Sequence, residues 1–214
     1  MIDFTKVLLI DYNPTLLLEH PLLDFHTTFC NKTSEILIQK STYKNLNFYI
    51  YPSGRIILEG SLHKFKNNGE HNSNSFHHFE LVAVLLELQD QFTLDLSKCK
   101  IQNLEFGVNL IMPFPCSDIL QNLLFSNSRV ISDHSVDSGI LRKVKNQRNE
   151  LKFYDKGAHI NPDNTDSNLL RFEKKYCKGE DLIKVGIETF SDLLRIETFQ
   201  FFKSELIRCW HGVL

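Results

Sequence analysis

The sequence predicts an α+β fold: an antiparallel β-sheet packed on helices, ending in a helical C-terminal tail. Two observations carry this. Several runs alternate apolar and polar residues with period 2, as strands with one buried face do. The strands also come in runs, interrupted by two helical stretches at 76–92 and 118–126, an order that favours a sheet backed by helices.

Residues 4–11 read as the first strand, and Pro14 permits a short helical turn. A loop rich in His, Thr and Asn runs to about residue 33, followed by a short strand at 36–39. Two strands, 43–51 and 55–65, are joined at Pro52-Ser53-Gly54, a strong turn signal. In the second, Glu59, Ser61 and His63 alternate with Leu58, Gly60 and Leu62. The run 66–75 is a loop by composition. The helix 76–92 is apolar on most sides and belongs under a sheet. In the strand 101–111, Leu104, Phe106, Val108 and Leu110 oppose Glu105, Gly107 and Asn109. Pro113 and Pro115 end it, and Ser117 or Asp118 can cap the helix 118–126. Residues 127–140 read as a mobile loop. Two further strands, 149–156 and 168–176, flank a polar loop holding Gly157, Pro162 and Asn164. Short helices at 180–185, 190–194 and 198–211 form the tail.

The chain has 214 residues, with 42% hydrophobic and 23% charged residues, which suits one sizeable soluble domain or two small ones. Cys30, Cys99, Cys116, Cys177 and Cys209 show no CxxC spacing. That dispersed, odd set argues for a reducing cytoplasm and against a disulfide framework or zinc knuckle. No run reaches the roughly 20 apolar residues of a membrane span, and the acidic start lacks a signal peptide's cations.

The net charge of −2 does not announce a nucleic-acid binder, but its distribution is uneven. Residues 141–178 hold ten Lys/Arg against five Asp/Glu, a local basic segment suited to phosphate contact. A solvated charged hairpin fits the same composition. In the strand 149–156, Leu151 and Phe153 point one way while Lys152, Tyr154 and Lys156 point the other. In 168–176, Leu170 and Phe172 oppose Arg171, Glu173 and Lys175. Paired, they put a tyrosine, a carboxylate and several cations on one surface. Lys152 and Lys156 would favour a phenolate at Tyr154 or a bound phosphate.

Glu105 and Glu173 are candidate metal ligands, since carboxylates with water and phosphate oxygens suit Mg²⁺ or Mn²⁺. Gly107, on the face of Glu105, leaves room for close approach. Solvent exposure of Glu105 and an ion pair of Glu173 with Lys152 remain open readings. No H-x-H or H-E-x-x-H spacing appears, but His63 shares a face with Glu59 and could join a carboxylate site.

These residues resemble a known family. The run ELKFYDKG resembles the tyrosine motif of phage and plasmid rolling-circle replication initiation factors, a group that includes filamentous-phage gene II type and trans-type plasmid initiators. LLRFEKK resembles their next strand, NLEFGVN an earlier strand with one acidic residue, and EGSLHKFKNNGEHNSNSF their Gly-Ser-rich segment. The opening MIDF is similar to the gene II type. The matches keep the family's order over about residues 45–195.

The resemblance implies a replication-initiator nuclease-like domain over 1–195, with 196–214 starting a C-terminal helical segment that is cut short. It implies a DNA endonuclease and strand transferase that nicks and rejoins single-stranded or supercoiled origin DNA through a 5′-phosphotyrosine. Tyr154 would be the nucleophile, with Lys156 beside it. Glu105, Glu173 and His63 would hold Mg²⁺ or Mn²⁺. Lys64, Lys152, Arg171 and Lys175 would contact DNA phosphates. The wider class of such nucleases uses an H-hydrophobic-H metal motif, which this chain lacks, so its metal site would be carboxylate-based. A bacterial cytoplasm, a host helicase and a polymerase complete the implied setting. Two alternatives stay open: a non-catalytic single-stranded nucleic-acid-binding module, and a conjugative relaxase of the same broad family.

Overall fold

A computed structural model describes residues 2–127, 129–133, 140–161 and 167–213 of the chain. The first half runs β1 (Ile2–Leu9), α1 (Thr15–Leu18), β2 (His26–Phe29), β3 (Ile36–Tyr43), β4 (Leu46–Ile50), β5 (Ile56–Ser61), α2 (Leu62–Lys66), α3 (His78–Phe92) and the long β6 (Cys99–Ile111). The second half runs α4 (Cys116–Asn122), the two-residue strands β7 (Phe125–Ser126), β8 (Arg129–Val130) and β9 (Ser132–Asp133), then β10 (Leu141–Lys145), β11 (Asn149–Asp155), α5 (Lys156–Ile160), β12 (Leu169–Tyr176), α6 (Gly179–Ile183) and α7 (Ile196–His211).

Ten strands form one sheet in the order β2-β3-β4-β5-β1-β6-β12-β11-β10-β9. Every neighbouring pair is antiparallel. The α+β architecture expected from the sequence is therefore present. Alternation gives the sheet two unlike faces. Helices cover one of them. Phe92 of α3 packs on Phe48 at 4.8 Å between ring centroids, and Phe202 of α7 packs on Phe106 at 4.3 Å. On that same face Phe153 and Phe172 stack across β11 and β12 at 4.6 Å. These rings, with Val7, Leu58 and Leu104, form one continuous core. The other face is polar and carries the candidate site.

Several boundaries differ from the sequence reading, each for a local reason. The expected 43–51 strand is a hairpin junction: β3 ends at Tyr43, and Lys44 and Asn45 turn with φ of 44° and 68°. Two left-handed residues in a row give a two-residue hairpin turn, here without the usual glycine. The expected 55–65 strand stops at Ser61, whose hydroxyl accepts the Lys64 amide at 3.1 Å and caps α2. The expected 149–156 strand likewise stops at Asp155, whose carboxylate accepts the Ala158 amide at 2.8 Å and caps α5. Gly157, expected in a loop, lies in that helix. Helix α3 buries one face, with Leu81, Val84, Leu85, Leu88 and Phe92 inward, while Phe79 and Leu86 are exposed. The expected loop at 127–140 contains β8 and β9; its residues 128 and 134–139 lie outside the described residues, as do Met1, Pro162 and Asn164.

Candidate active site

Three strands at the middle of the sheet converge three acids. Glu173 of β12 lies opposite Gly107 of β6, and Lys175 lies opposite Glu105, so the two glutamates are diagonal neighbours on the polar face. Asp3 comes from β1, where the register with β6 breaks between Ile2 and Thr5. Such an irregularity re-aims a side chain. One carboxylate oxygen from each of Asp3, Glu105 and Glu173 lies within 4.8 Å of the others, and all three residues are buried. Glu105 is therefore not the solvated side chain that was an open reading.

Gly107 makes this packing possible. A Cβ there would lie 2.5 Å from the Phe172 carbonyl oxygen and 2.8 Å from Glu173 Cγ. The room expected for a ligand is taken by Glu173 itself.

Arg171 is fully buried beneath the acids. Its Nε donates to Glu173 Oε1 at 2.8 Å, Nη2 to Asp3 Oδ2 at 3.2 Å and Nη1 to Asn109 Oδ1 at 2.9 Å. A guanidinium so enclosed has no surface for a DNA phosphate. It orients two carboxylates instead, which corrects the expected phosphate contact. Lys152 Nζ lies 2.7 Å from Glu105 Oε2 and 3.6 Å from Glu173 Oε2. The expected Lys152–Glu173 pair is thus part of a larger cluster.

Burial and the adjacent Glu173 charge push the Glu105 carboxyl above its usual range. Burial acts on Glu173 in the same direction, but Arg171 and Lys152 overcome it and hold Glu173 low. The same two glutamates keep the Lys152 ammonium charged against its burial.

Tyr154 of β11 points into this group. Its hydroxyl donates to Glu173 Oε1 at 3.1 Å. Burial first, and then the Glu173 charge, push the phenol above its ordinary range. The expectation that Lys152 and Lys156 favour a phenolate is corrected: Glu173 is the charged group that contacts the hydroxyl. Lys156 opens α5 and is buried, with Nζ 5.9 Å from the Tyr154 ring centroid. Burial and Arg171 lower its pKa. Lys156 Nζ donates to Asn72 Oδ1 at 2.6 Å, and Asn72 Nδ2 donates to Asp3 Oδ2 at 2.5 Å. Ser61 Oγ donates to the other Asp3 oxygen.

His63 does not join the acids. The Ser61 cap starts α2 and turns His63 away from the strand's polar face. Its ring is buried and stacks on Phe76 at 4.8 Å, and Nε2 lies 2.6 Å from Asn74 Oδ1. Burial pushes its pKa down to about 4. Asp3 occupies the third position for which His63 was the candidate. Lys64 is half-buried in the first turn of α2. Lys175 lies half-buried on the polar face, its Nζ 4.5 Å from the Phe4 ring centroid. Tyr176, the other tyrosine of β11 and β12, faces the helices and donates to Glu205 at 3.4 Å, across the sheet from the acids.

A cleft of about 300 Å³ opens onto the group, lined by Asp3, Glu105, Glu173, Tyr154, Lys152, Lys143 and His159. Three buried carboxylates facing a cleft suit a hard divalent cation with oxygen ligands. The donor set therefore fits Mg²⁺ or Mn²⁺, with Lys152 as the ammonium that neutralises it otherwise. Sequence reading missed Asp3, Asn72, Asn109, Lys143 and His159. The only signal for Asp3 was its place in the opening MIDF.

No family model matches the chain, and no curated protein matches it. A solved rolling circle replication initiator protein from Geobacillus stearothermophilus is similar in structure at 12% identity and a TM-score of 0.48. The match covers 82% of this chain and 73% of that one. A likeness at that level carries neither an activity nor a residue's role. Among the described residues no helix is long and apolar enough to cross a membrane.

Proposed function

We propose that the chain is a rolling-circle replication initiator that nicks and rejoins single-stranded origin DNA through Tyr154. One observation carries this reading: the Tyr154 hydroxyl lies 3.1 Å from Glu173, inside a cleft with two further buried carboxylates. A nucleophile beside an oxygen-rich cation site is the arrangement that phosphoryl transfer needs. The ordered motif resemblance agrees with it.

In this reading Asp3, Glu105 and Glu173 hold Mg²⁺ or Mn²⁺. The bound cation would polarise the scissile phosphate and offset the charge that grows there. Burial and Glu173 keep the phenol protonated until substrate arrives, with Glu173 Oε1 accepting its proton in a hydrogen bond. The Tyr154 oxygen then bonds to phosphorus, and the bond from phosphorus to the 3′ oxygen breaks. Glu173 takes the phenol proton as the new bond forms and returns it through water to the leaving oxygen, which departs as a 3′-hydroxyl. The reverse step restores the DNA, because the phosphotyrosine conserves the bond energy. Lys152 and Lys156 are the cations nearest the reacting phosphate; Lys64 and Lys175 contact the strand farther out. Arg171 acts through the carboxylates it orients. Residues 1–195 would form the nuclease unit. The setting would be a bacterial cytoplasm, where a helicase and a polymerase use the released 3′ end. A conjugative relaxase would use the same chemistry.

A second reading has its own support. Lys152 at 2.7 Å from Glu105 already neutralises part of the acidic group, as in a binding module that needs no metal. The deciding experiment is a denaturing gel of protein with labelled single-stranded origin DNA and Mn²⁺, beside Tyr154→Phe. A protease-sensitive adduct, lost in the variant, supports the nuclease. Binding of verified origin DNA with neither adduct nor nick supports the binding module.

A further inference from the structure

The polar face continues well beyond the acids, across β1, β5, β4 and β3. Register fixes which residues share it. Lys40 lies opposite Tyr49, Tyr49 opposite Ile57, and Ile57 opposite Leu8. Tyr51 and Arg55 follow at the same edge, joined by a backbone hydrogen bond of 3.0 Å. The helices lie on the other side, where Phe48, Ile50 and Leu58 are buried.

Cations sit over aromatic rings at both ends of this face. Lys40 Nζ is 5.4 Å from the Tyr49 ring centroid, and the Arg55 guanidinium is 5.5 Å from that of Tyr51. Lys175 Nζ is 4.5 Å from that of Phe4, beside the acids. Lys40 and Arg55 are exposed, and both tyrosines are half-exposed. Between the ends, Lys6 pairs with Glu59 at 2.9 Å, and Glu59 also binds the Tyr49 hydroxyl. That pair holds the Tyr49 ring in place while leaving the face little net negative charge. Lys100 adds a cation opposite Leu8, paired with Glu188 at 2.9 Å.

We propose that Tyr49 and Tyr51, with Lys40 and Arg55, form a base-stacking platform for single-stranded DNA, remote from the acids on the same sheet face. A base that stacks on either ring moves its cation toward the flanking phosphate. Each pair thus offers both halves of a nucleotide contact. Strand spacing puts β4 roughly 14 Å from β6 across the sheet, so a strand held at the acids reaches the platform after a few nucleotides. The identity of the strand rests on the function proposed above; the platform itself is tested without catalysis.

The experiment is fluorescence anisotropy with labelled oligo-dT of about 5 and about 20 nucleotides, in EDTA, on the whole chain. Tyr49→Leu/Tyr51→Leu keeps apolar bulk in both strands. It is expected to weaken the longer oligomer by roughly tenfold or more, and to weaken the shorter one as well, because about 5 nucleotides already reach the platform. Tyr49→Phe/Tyr51→Phe keeps the rings and should retain wild-type affinity. Wild-type affinity of the leucine variant for the longer oligomer would overturn the proposal. So would an equal loss on a duplex, which presents no free bases. Loss of nicking in Tyr154→Phe with unchanged anisotropy separates this outcome from failure of the nuclease reading.

Discussion

Tyr154 and Glu173 meet across neighbouring strands, the phenol hydroxyl donating to Oε1 at 3.1 Å. The contact follows from register: Tyr154 lies opposite Arg171, and Glu173 is two residues farther along β12 on the same face. Removing the hydroxyl removes the nucleophile and one hydrogen bond, but neither ring packing nor the carboxylates. Tyr154→Phe is expected to fold, with a stability change of about 1 kcal/mol, and to bind single-stranded DNA. Nicking should fall by at least roughly a thousandfold, with no adduct on a denaturing gel. Persistent nicking would move the nucleophile elsewhere.

Asn72 links the two halves of the site, accepting from Lys156 and donating to Asp3. Partners behind a ligand commonly shift metal affinity by roughly 10–100-fold. Asn72→Ala should therefore weaken Mn²⁺ binding by about tenfold in calorimetry, and Asp3→Asn should weaken it more. Saturating Mn²⁺, at about 100 times its dissociation constant, should stabilise the wild type by about 2.7 kcal/mol. EDTA should remove that gain, and Asp3→Asn should not show it. Equal Mn²⁺ affinity in all three proteins would exclude Asp3 as a ligand and Asn72 as its support.

The faces of β6, β11 and β12 were legible because period-2 alternation reports them directly. Alternation puts Glu173, Lys152 and Tyr154 on one surface and Glu105 on the polar face of its own strand, and all four line one cleft in the structure. Asp3 was not legible, since a register break in β1 brings it in and periodicity carries no trace of such a break. Asn72 was hidden in a polar run whose composition says only loop. Alternation puts His63 on the polar face of a strand, but the Ser61 cap turns strand into helix two residues earlier. Arg171 read as a surface cation because periodicity gives the face of a side chain and not its depth.

Gly107 tests whether Glu173 needs the space it fills. An alanine Cβ would meet the Phe172 carbonyl and Glu173 Cγ at 2.5 and 2.8 Å. The carbonyl is backbone within a central pair of strands, so β6 and β12 must part there, and Glu173 shifts with them. Gly107→Ala is expected to cost about 1–3 kcal/mol in urea unfolding. Mn²⁺ affinity should fall with it, because displacing Glu173 separates the acids. Unchanged stability together with unchanged Mn²⁺ affinity would show that the strands relax freely there.

On the helix side of the sheet, Glu205 of α7 binds Arg208 at 2.7 and 2.8 Å and also meets the buried Lys174 ammonium. Arg208 and Lys174 hold its carboxyl down to about 2, against about 4.3 for an unfolded glutamate. A depressed folded pKa stabilises the protein above the unfolded pKa, and that contribution is lost as pH falls through the folded one. The shift corresponds to roughly 3 kcal/mol, reduced to about 2 kcal/mol because the exposed Arg208 side of the pair is screened by solvent; it is nearly complete above pH ~4.5 and almost gone near pH ~2. Glu205→Gln should therefore be less stable than wild type at pH 7, by more than that amount because Lys174 loses its counter-ion. The difference between the two proteins in urea unfolding should narrow between pH ~4.5 and pH ~2.5, while other carboxylates titrate equally in both and cancel. A difference that stays constant over that window would mean that Glu205 is not ionised against Arg208 and Lys174.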